Sequence, residues 1–326
     1  MQNGNGGITR RDFVAGVVGT TLALTAGARR AAADDTRARI VRVESSKVWK
    51  GDNRVPEIVA EMVNQGLLTF TGKTKVVDAW GQFFKPGMRV GFKLNLLGRP
   101  LVFTARELTN AMVAGALVAG VKPDDVIVWD RKPEHFGADT YVPGRGPRGE
   151  QIMTGTNYST IAAETSGGPA VIDRIPVELT DVTVNLPVMK DHGGAGVTFA
   201  LKNIAFGCYR NHRQAHGGNC EPFISETCAH FMATVKMPLI VVDSTEGCFD
   251  QGPGPGTHDV LWRENAIYVG TDPVAMDTVC CDVLMAKRRA VGLHDKTSQC
   301  RHIENAAAKG LGIADLSRID VVNVKV

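Results

Sequence analysis

Val182-Thr183-Val184-Asn185-Leu186-Pro187-Val188-Met189-Lys190-Asp191-His192 opens as a short β-branched run, Val182–Leu186, and carries on through a proline into polar groups. A brief, β-branched run of this kind suits a strand of a layered α/β sheet. Similar runs stand at Arg39–Val43, Arg89–Leu94, Asp125–Trp129, Pro238–Val242, Ala266–Val269 and Ile319–Val324. Helical patterns alternate with them over Val55–Gly66, Ala105–Gly120, Tyr158–Thr165, Ile224–Val235, Pro273–Val291 and His302–Lys309. This alternation predicts an α/β layered fold with a mostly parallel sheet flanked by helices, as a single domain over residues 34–326. The stretch Lys132–Thr156, with Gly144, Gly146 and Gly149, reads as a loop-like insertion or flap.

Ligands of open α/β sheets sit beyond the carboxyl ends of the strands, so the strand ends become a candidate site. Lys93 and Asn95 end one strand, and Asp130 and Arg131 another. Asn185 ends a third, which leads on to Lys190 and His192; Asp243 and the Thr271-Asp272 pair end two more. Among these, Lys93, Asn95, Lys190 and His192 are favoured over the aspartates, because Asp272 before Pro273 is already complete as a helix cap. Gly193, Gly194 and Gly196 follow His192, and such a turn can aim backbone N–H groups at an anion or simply be a flexible loop. With Lys190 and Lys202 close by in sequence, an anionic small molecule such as a carboxylate or phosphate is the expected ligand. No nucleotide motif is present. Gly72-Lys73-Thr74 has Leu67 where a phosphate loop needs glycine, and Gly252–Gly256 opens no helix.

All seven cysteines fall between Cys208 and Cys300. Cys208, His212, His216 and Cys220 recur at intervals of four, which on a helix would set the two imidazoles on one face as a candidate metal site. The absence of any C-x-x-C leaves disulfides and buried free thiols as competing readings. Cys281 suits a core position beside Val274, Leu284 and Met285.

Residues 1–33 read as an export signal. Thr9-Arg10-Arg11-Asp12-Phe13-Val14 is similar to the twin-arginine pattern, a mild apolar stretch follows, and Ala31-Ala32-Ala33 suits cleavage. The chain is then expected to be periplasmic or extracellular, with no membrane span in the mature part. The formal charge of +3 resides in this segment: beyond residue 33 there are 33 basic and 33 acidic residues. With aromatics at 6% and no basic run, nucleic acid is not an expected partner.

Val184–His192 together with Val197-Thr198-Phe199-Ala200-Leu201-Lys202-Asn203 resembles the central signature of the domain of unknown function 362 family. Gly270–Asp277 is similar to its second signature, Lys93-Leu94-Asn95-Leu96 to its early motif and Gly310-Leu311-Gly312 to its last. Some members carry a fused ferredoxin module, which this sequence lacks. The resemblance adds Asn203 to the ligand-binding set of Lys93, Asn95, Asn185 and Lys202, and implies redox chemistry. Together these readings predict an exported protein binding a metal ion or iron–sulfur cluster, an anionic small molecule and a redox partner protein. Two alternatives are an acid–base enzyme with Lys190 and His192 as its catalytic pair, and a ligand-binding protein without catalysis.

Overall fold

The computed structural model describes residues 37–155, 157–210 and 215–326, so the expected export signal lies outside the described residues. Its central sheet runs, from one edge, Ile319–Lys325, Ala38–Glu44, Ala266–Gly270, Ile240–Cys248, Val182–Asn185, Val90–Lys93, Val126–Asp130, Gln151–Thr154 and Gly144–Arg145. Every junction from Ile240–Cys248 to Gln151–Thr154 is parallel, whereas Ala266–Gly270 runs antiparallel to both its neighbours. The sheet is thus mostly parallel, as expected.

The central strands Val90–Lys93, Val126–Asp130 and Val182–Asn185 are buried at every position, because helices cover both faces. On one face Val90, Phe92, Val126, Val128, Val182 and Val184 pack against Val59, Met62 and Leu67 of the Pro56–Thr71 helix and Leu108 and Met112 of Arg106–Val118. On the other, Ile127, Trp129, Ile240 and Val242 join Ile204 of Ala200–Cys208, Phe231 of Phe223–Thr234 and Val274 and Leu284 of Pro273–Ala290. Ala38–Val326 forms one unit by its internal contacts. Among the described residues no helix is long and apolar enough to cross a membrane.

Three local readings are corrected. Tyr158–Ala163 is a strand, not a helix; its backbone groups are paired antiparallel with Ala170–Asp173 in a two-stranded hairpin, a tertiary pairing that overrides the local helical pattern. Gln151–Thr154, read as part of a loop, extends the sheet beside Val126–Asp130. The Val182 run ends at Asn185, and beyond Pro187 the chain begins a separate strand, Val188–His192, against Ile240–Cys248 and Gly196–Thr198.

Candidate functional site

At the carboxyl ends of the parallel strands a buried polar network forms first. Lys93 Nζ donates to Asp130 Oδ1 at 2.7 Å, to the Leu94 carbonyl at 2.6 Å and to Asn203 Oδ1 at 3.4 Å. Asn203 Nδ2 donates to Asn185 Oδ1 at 2.7 Å, and Asn185 Nδ2 to the Ala200 carbonyl at 2.9 Å. Burial pushes the Asp130 carboxyl up, but Lys93 and the backbone donors Leu96 and Arg131 outweigh it and hold the group below the usual carboxylate range. Gly207 makes room for this arrangement, since a Cβ there would stand 2.6 Å from Lys93 Nζ. The network fixes the Ala200–Cys208 helix against three strand ends. Asp277 anchors the same helix from outside, accepting from Ala200 N at 2.7 Å and Leu201 N at 3.2 Å, so the first orphan amides of the helix are satisfied.

In front of the network lies a cleft of about 190 Å³, lined by Asn95, His192, Lys202 and Asn203 together with Asp130, Arg131, Lys132, His135, Thr198 and His216. Lys93, Asn185 and Lys190 do not line it. Lys190 stands behind the wall: its Nζ donates to Asn95 Oδ1 at 2.7 Å and to the Leu97 carbonyl. Burial, only partly offset by Cys248 and Asp130, brings Lys190 down to about 7.

The Gly-rich turn after His192 has a use that the sequence did not reveal. Gly194 N and Ala195 N donate to His192 Nδ1 at 3.0 and 2.9 Å, so these amides hold the imidazole rather than an external anion. With Nδ1 accepting twice, the neutral ring carries its proton on Nε2 and presents a donor to the cleft. Burial, reinforced by the positive charge of Lys202, brings His192 down to about 3. His192 in this state is not a proton acceptor, and among the described residues no hydrogen bond joins it to Lys190. Of the expected acid–base pair, His192 lines the cleft and Lys190 does not.

Lys202 is the group that the cleft leaves unanswered. The residue is 4% exposed, its Nζ lies 4.1 Å from the Phe206 ring centroid, and it has no carboxylate or hydrogen-bond partner among the described residues. Burial brings it down to about 8, with only the Cys220 sulfur pulling the other way. Arg131 and Lys132 add cationic groups, while the one lining carboxylate, Asp130, is already committed to Lys93. An anion in this cleft would meet Lys202, with Nε2 of His192 and the amides of Asn95 and Asn203 among the lining groups. His135 was missed because it lies in the stretch read as an insertion; its position just after a strand end was the available signal.

The fifth strand end does not join this cleft. Gly270 pairs with Ile240 at the start of the Ile240–Cys248 strand, so Thr271 and Asp272 stand beyond the amino ends of the parallel strands, opposite the cleft. Asp272 caps the Pro273–Ala290 helix, accepting from Val274 N and Ala275 N at 2.9 Å each.

His212 of the expected metal set lies outside the described residues. The three described members do not form a shared site. Cys208 is wholly buried near Lys93, Asp173 and Asp130, and burial pushes its thiol up to about 12. Cys220 packs instead beside Lys202 and Glu221, its thiol also raised by burial, and His216 is exposed at the cleft rim. Among the described residues no group of three or more His, Cys, Asp or Glu side chains is placed to hold a metal ion. They do not fit an ion or an iron–sulfur cluster, which requires thiolate donors around one centre.

Residues 152–282 match the family model described as domain of unknown function (DUF362). The DUF362 stretch contains Asn185, Lys190, His192, Lys202 and Asn203, while Lys93 and Asn95 precede it. Two solved structures are similar in backbone. One is the lactate racemase apoprotein from Thermoanaerobacterium thermosaccharolyticum, at 15% identity and a TM-score of 0.44, covering 76% of this chain and 57% of that one. The other is a protein from Thermotoga maritima, at 11% identity and a TM-score of 0.39, covering 63% and 54% respectively. The chain thus spans a little over half the length of either structure. No curated protein matches the sequence.

Proposed function

We propose that the cleft binds a small carboxylated or phosphorylated molecule, with Lys202 as the charge that meets it. The observation that carries this reading is the Lys202 ammonium, almost wholly buried in the cleft wall and without a carboxylate partner among the described residues. A buried charge without a partner is costly, and an anion supplied by a ligand removes that cost. His192 supports the same reading as an Nε2–H donor that stays neutral at physiological pH. The lining amides of Asn95 and Asn203 offer orientation rather than charge.

The test is calorimetric titration of the whole protein with inorganic phosphate and with malonate. Binding of either, weakened roughly 10–100-fold by Lys202→Met, supports the reading, since a hydrogen bond to a charged group is worth about 1.5–3 kcal/mol. Equal binding by the wild type and Lys202→Met overturns it. The export reading rests on the residues around Arg10 and Arg11. Fusing residues 1–33 to a reporter active only outside the cytoplasm tests it, with Arg10→Lys/Arg11→Lys expected to abolish the signal.

A further inference from the structure

Away from the cleft, two sulfurs approach each other across a second cavity. The Cys281 thiol, on the Pro273–Ala290 helix, donates to Cys300 Sγ at 3.5 Å. Cys300 is the N-cap residue of the Arg301–Ala308 helix. Both cysteines line a cavity of about 450 Å³ shared with Thr278, Asp282, Thr297 and Arg301. Neither is wholly sealed, each being 5% exposed. No other pair of cysteines among the described residues makes such a contact; Cys228 and Cys248 donate to backbone carbonyls instead.

We propose that Cys281 and Cys300 are a dithiol site that closes to a disulfide in the folded protein by exchange with a small disulfide entering this cavity. The distance favours it. Bonded sulfurs lie about 2.05 Å apart, so the pair must close by roughly 1.5 Å, and no more distant segment has to be recruited. The direction of the S–H contact gives the order of events. Cys281 keeps its proton, with the hydrogen bond to Cys300 and burial both raising its thiol, so Cys300 is the sulfur that attacks first. As thiolate, Cys300 displaces one thiolate from the small disulfide and forms a mixed disulfide. Cys281 then loses its proton and attacks the Cys300 sulfur, releasing the second thiolate. Two protein thiols are oxidised, one small disulfide is reduced to two thiols, and the two protons leave with them.

The closed form would tie the middle of the Pro273–Ala290 helix to the N-cap of the Arg301–Ala308 helix, across 19 positions of chain. It also sits against the site hairpin, because Gly196 leaves the space that Cys300 Sγ fills: a Cβ at Gly196 would come within 2.5 Å of that sulfur. Gly196 pairs directly with His192.

The test uses the full chain, folded and reduced, incubated with 2-hydroxyethyl disulfide, then quenched by alkylation, denatured and digested. A single peptide pair joined through Cys281 and Cys300, with the other five cysteines alkylated, is the expected result. The oxidised protein should melt roughly 5 °C higher, by the usual worth of a short-loop disulfide. Cys281→Ser should trap the hydroxyethyl adduct on Cys300. A cross-link between any other pair, or seven alkylated cysteines after oxidation of the still-folded protein, overturns the proposal.

Discussion

Asn95 separates Lys190 from the cleft, its Oδ1 accepting a hydrogen bond from Lys190 Nζ at 2.7 Å while its side chain also forms part of the cleft wall. The lysine therefore orients an amide instead of meeting a ligand. Replacing that amide with a carboxylate, Asn95→Asp, should keep the Lys190 contact but place a negative charge where an anion must enter. Phosphate affinity measured calorimetrically should fall at least about tenfold, with the melting midpoint nearly unchanged.

The Lys93–Asp130 pair is buried, and removing one partner strands the other. Asp130→Asn or Lys93→Met should each destabilise the fold by about 3–5 kcal/mol in urea unfolding. The double variant should recover part of that loss, because no uncompensated charge remains. Gly207→Ala should act through the same group by overpacking Lys93, costing about 1–3 kcal/mol.

Lys202 should make ligand binding pH-dependent. Its amine is neutral above about 8, and only the ammonium attracts an anion. Affinity for malonate, which is fully ionised in this range, should be steady at neutral pH and fall about tenfold per unit well above 8. Lys202→Arg should shift that loss to higher pH, and the titration curve of affinity against pH is the measurement.

His192 sets a second pH dependence, this time of stability. Its folded value of about 3 lies below the ordinary 6.5, so the unfolded chain binds the extra proton first. The contribution is fully present above 6.5 and is lost as pH falls from there toward 3. His192→Asn keeps an oxygen to accept from Gly194 and Ala195 but cannot titrate. Relative to wild type it should gain about 2–4 kcal/mol in stability between pH 6.5 and 3.5, read by urea unfolding across that range.

The fold class was legible because parallel strands buried on both faces leave continuous apolar runs such as Val126-Ile127-Val128-Trp129, and because Asp272-Pro273 marks a helix start without ambiguity. The site was legible in part. Asn95, His192, Lys202 and Asn203 all reach the cleft, but Lys93, Asn185 and Lys190 lie behind it. Residue type and position at a strand end do not say whether a side chain faces a ligand or a neighbouring carboxylate; that depends on Asp130, 37 residues from Lys93, and on Asn203 from another helix. The direction of the Ala266–Gly270 strand was equally hidden, since antiparallel and parallel central strands share one composition. Reversing it moved Asp272 beyond the opposite ends of the strands. The His192 turn misled for a related reason: glycines announce available amides but not what those amides will bind.

Asp277 holds the first turn of the helix that carries Lys202, yet every residue lining the cleft precedes it in the chain. Assembly is therefore ordered by synthesis. A nascent chain ending before Asp277 already holds all the lining groups but leaves the Lys202 helix without its outside anchor. The pocket becomes a complete binding site only after the last 50 residues, from Asp277 on, have emerged and folded back, so a ligand can report on completed folding but cannot template its early steps.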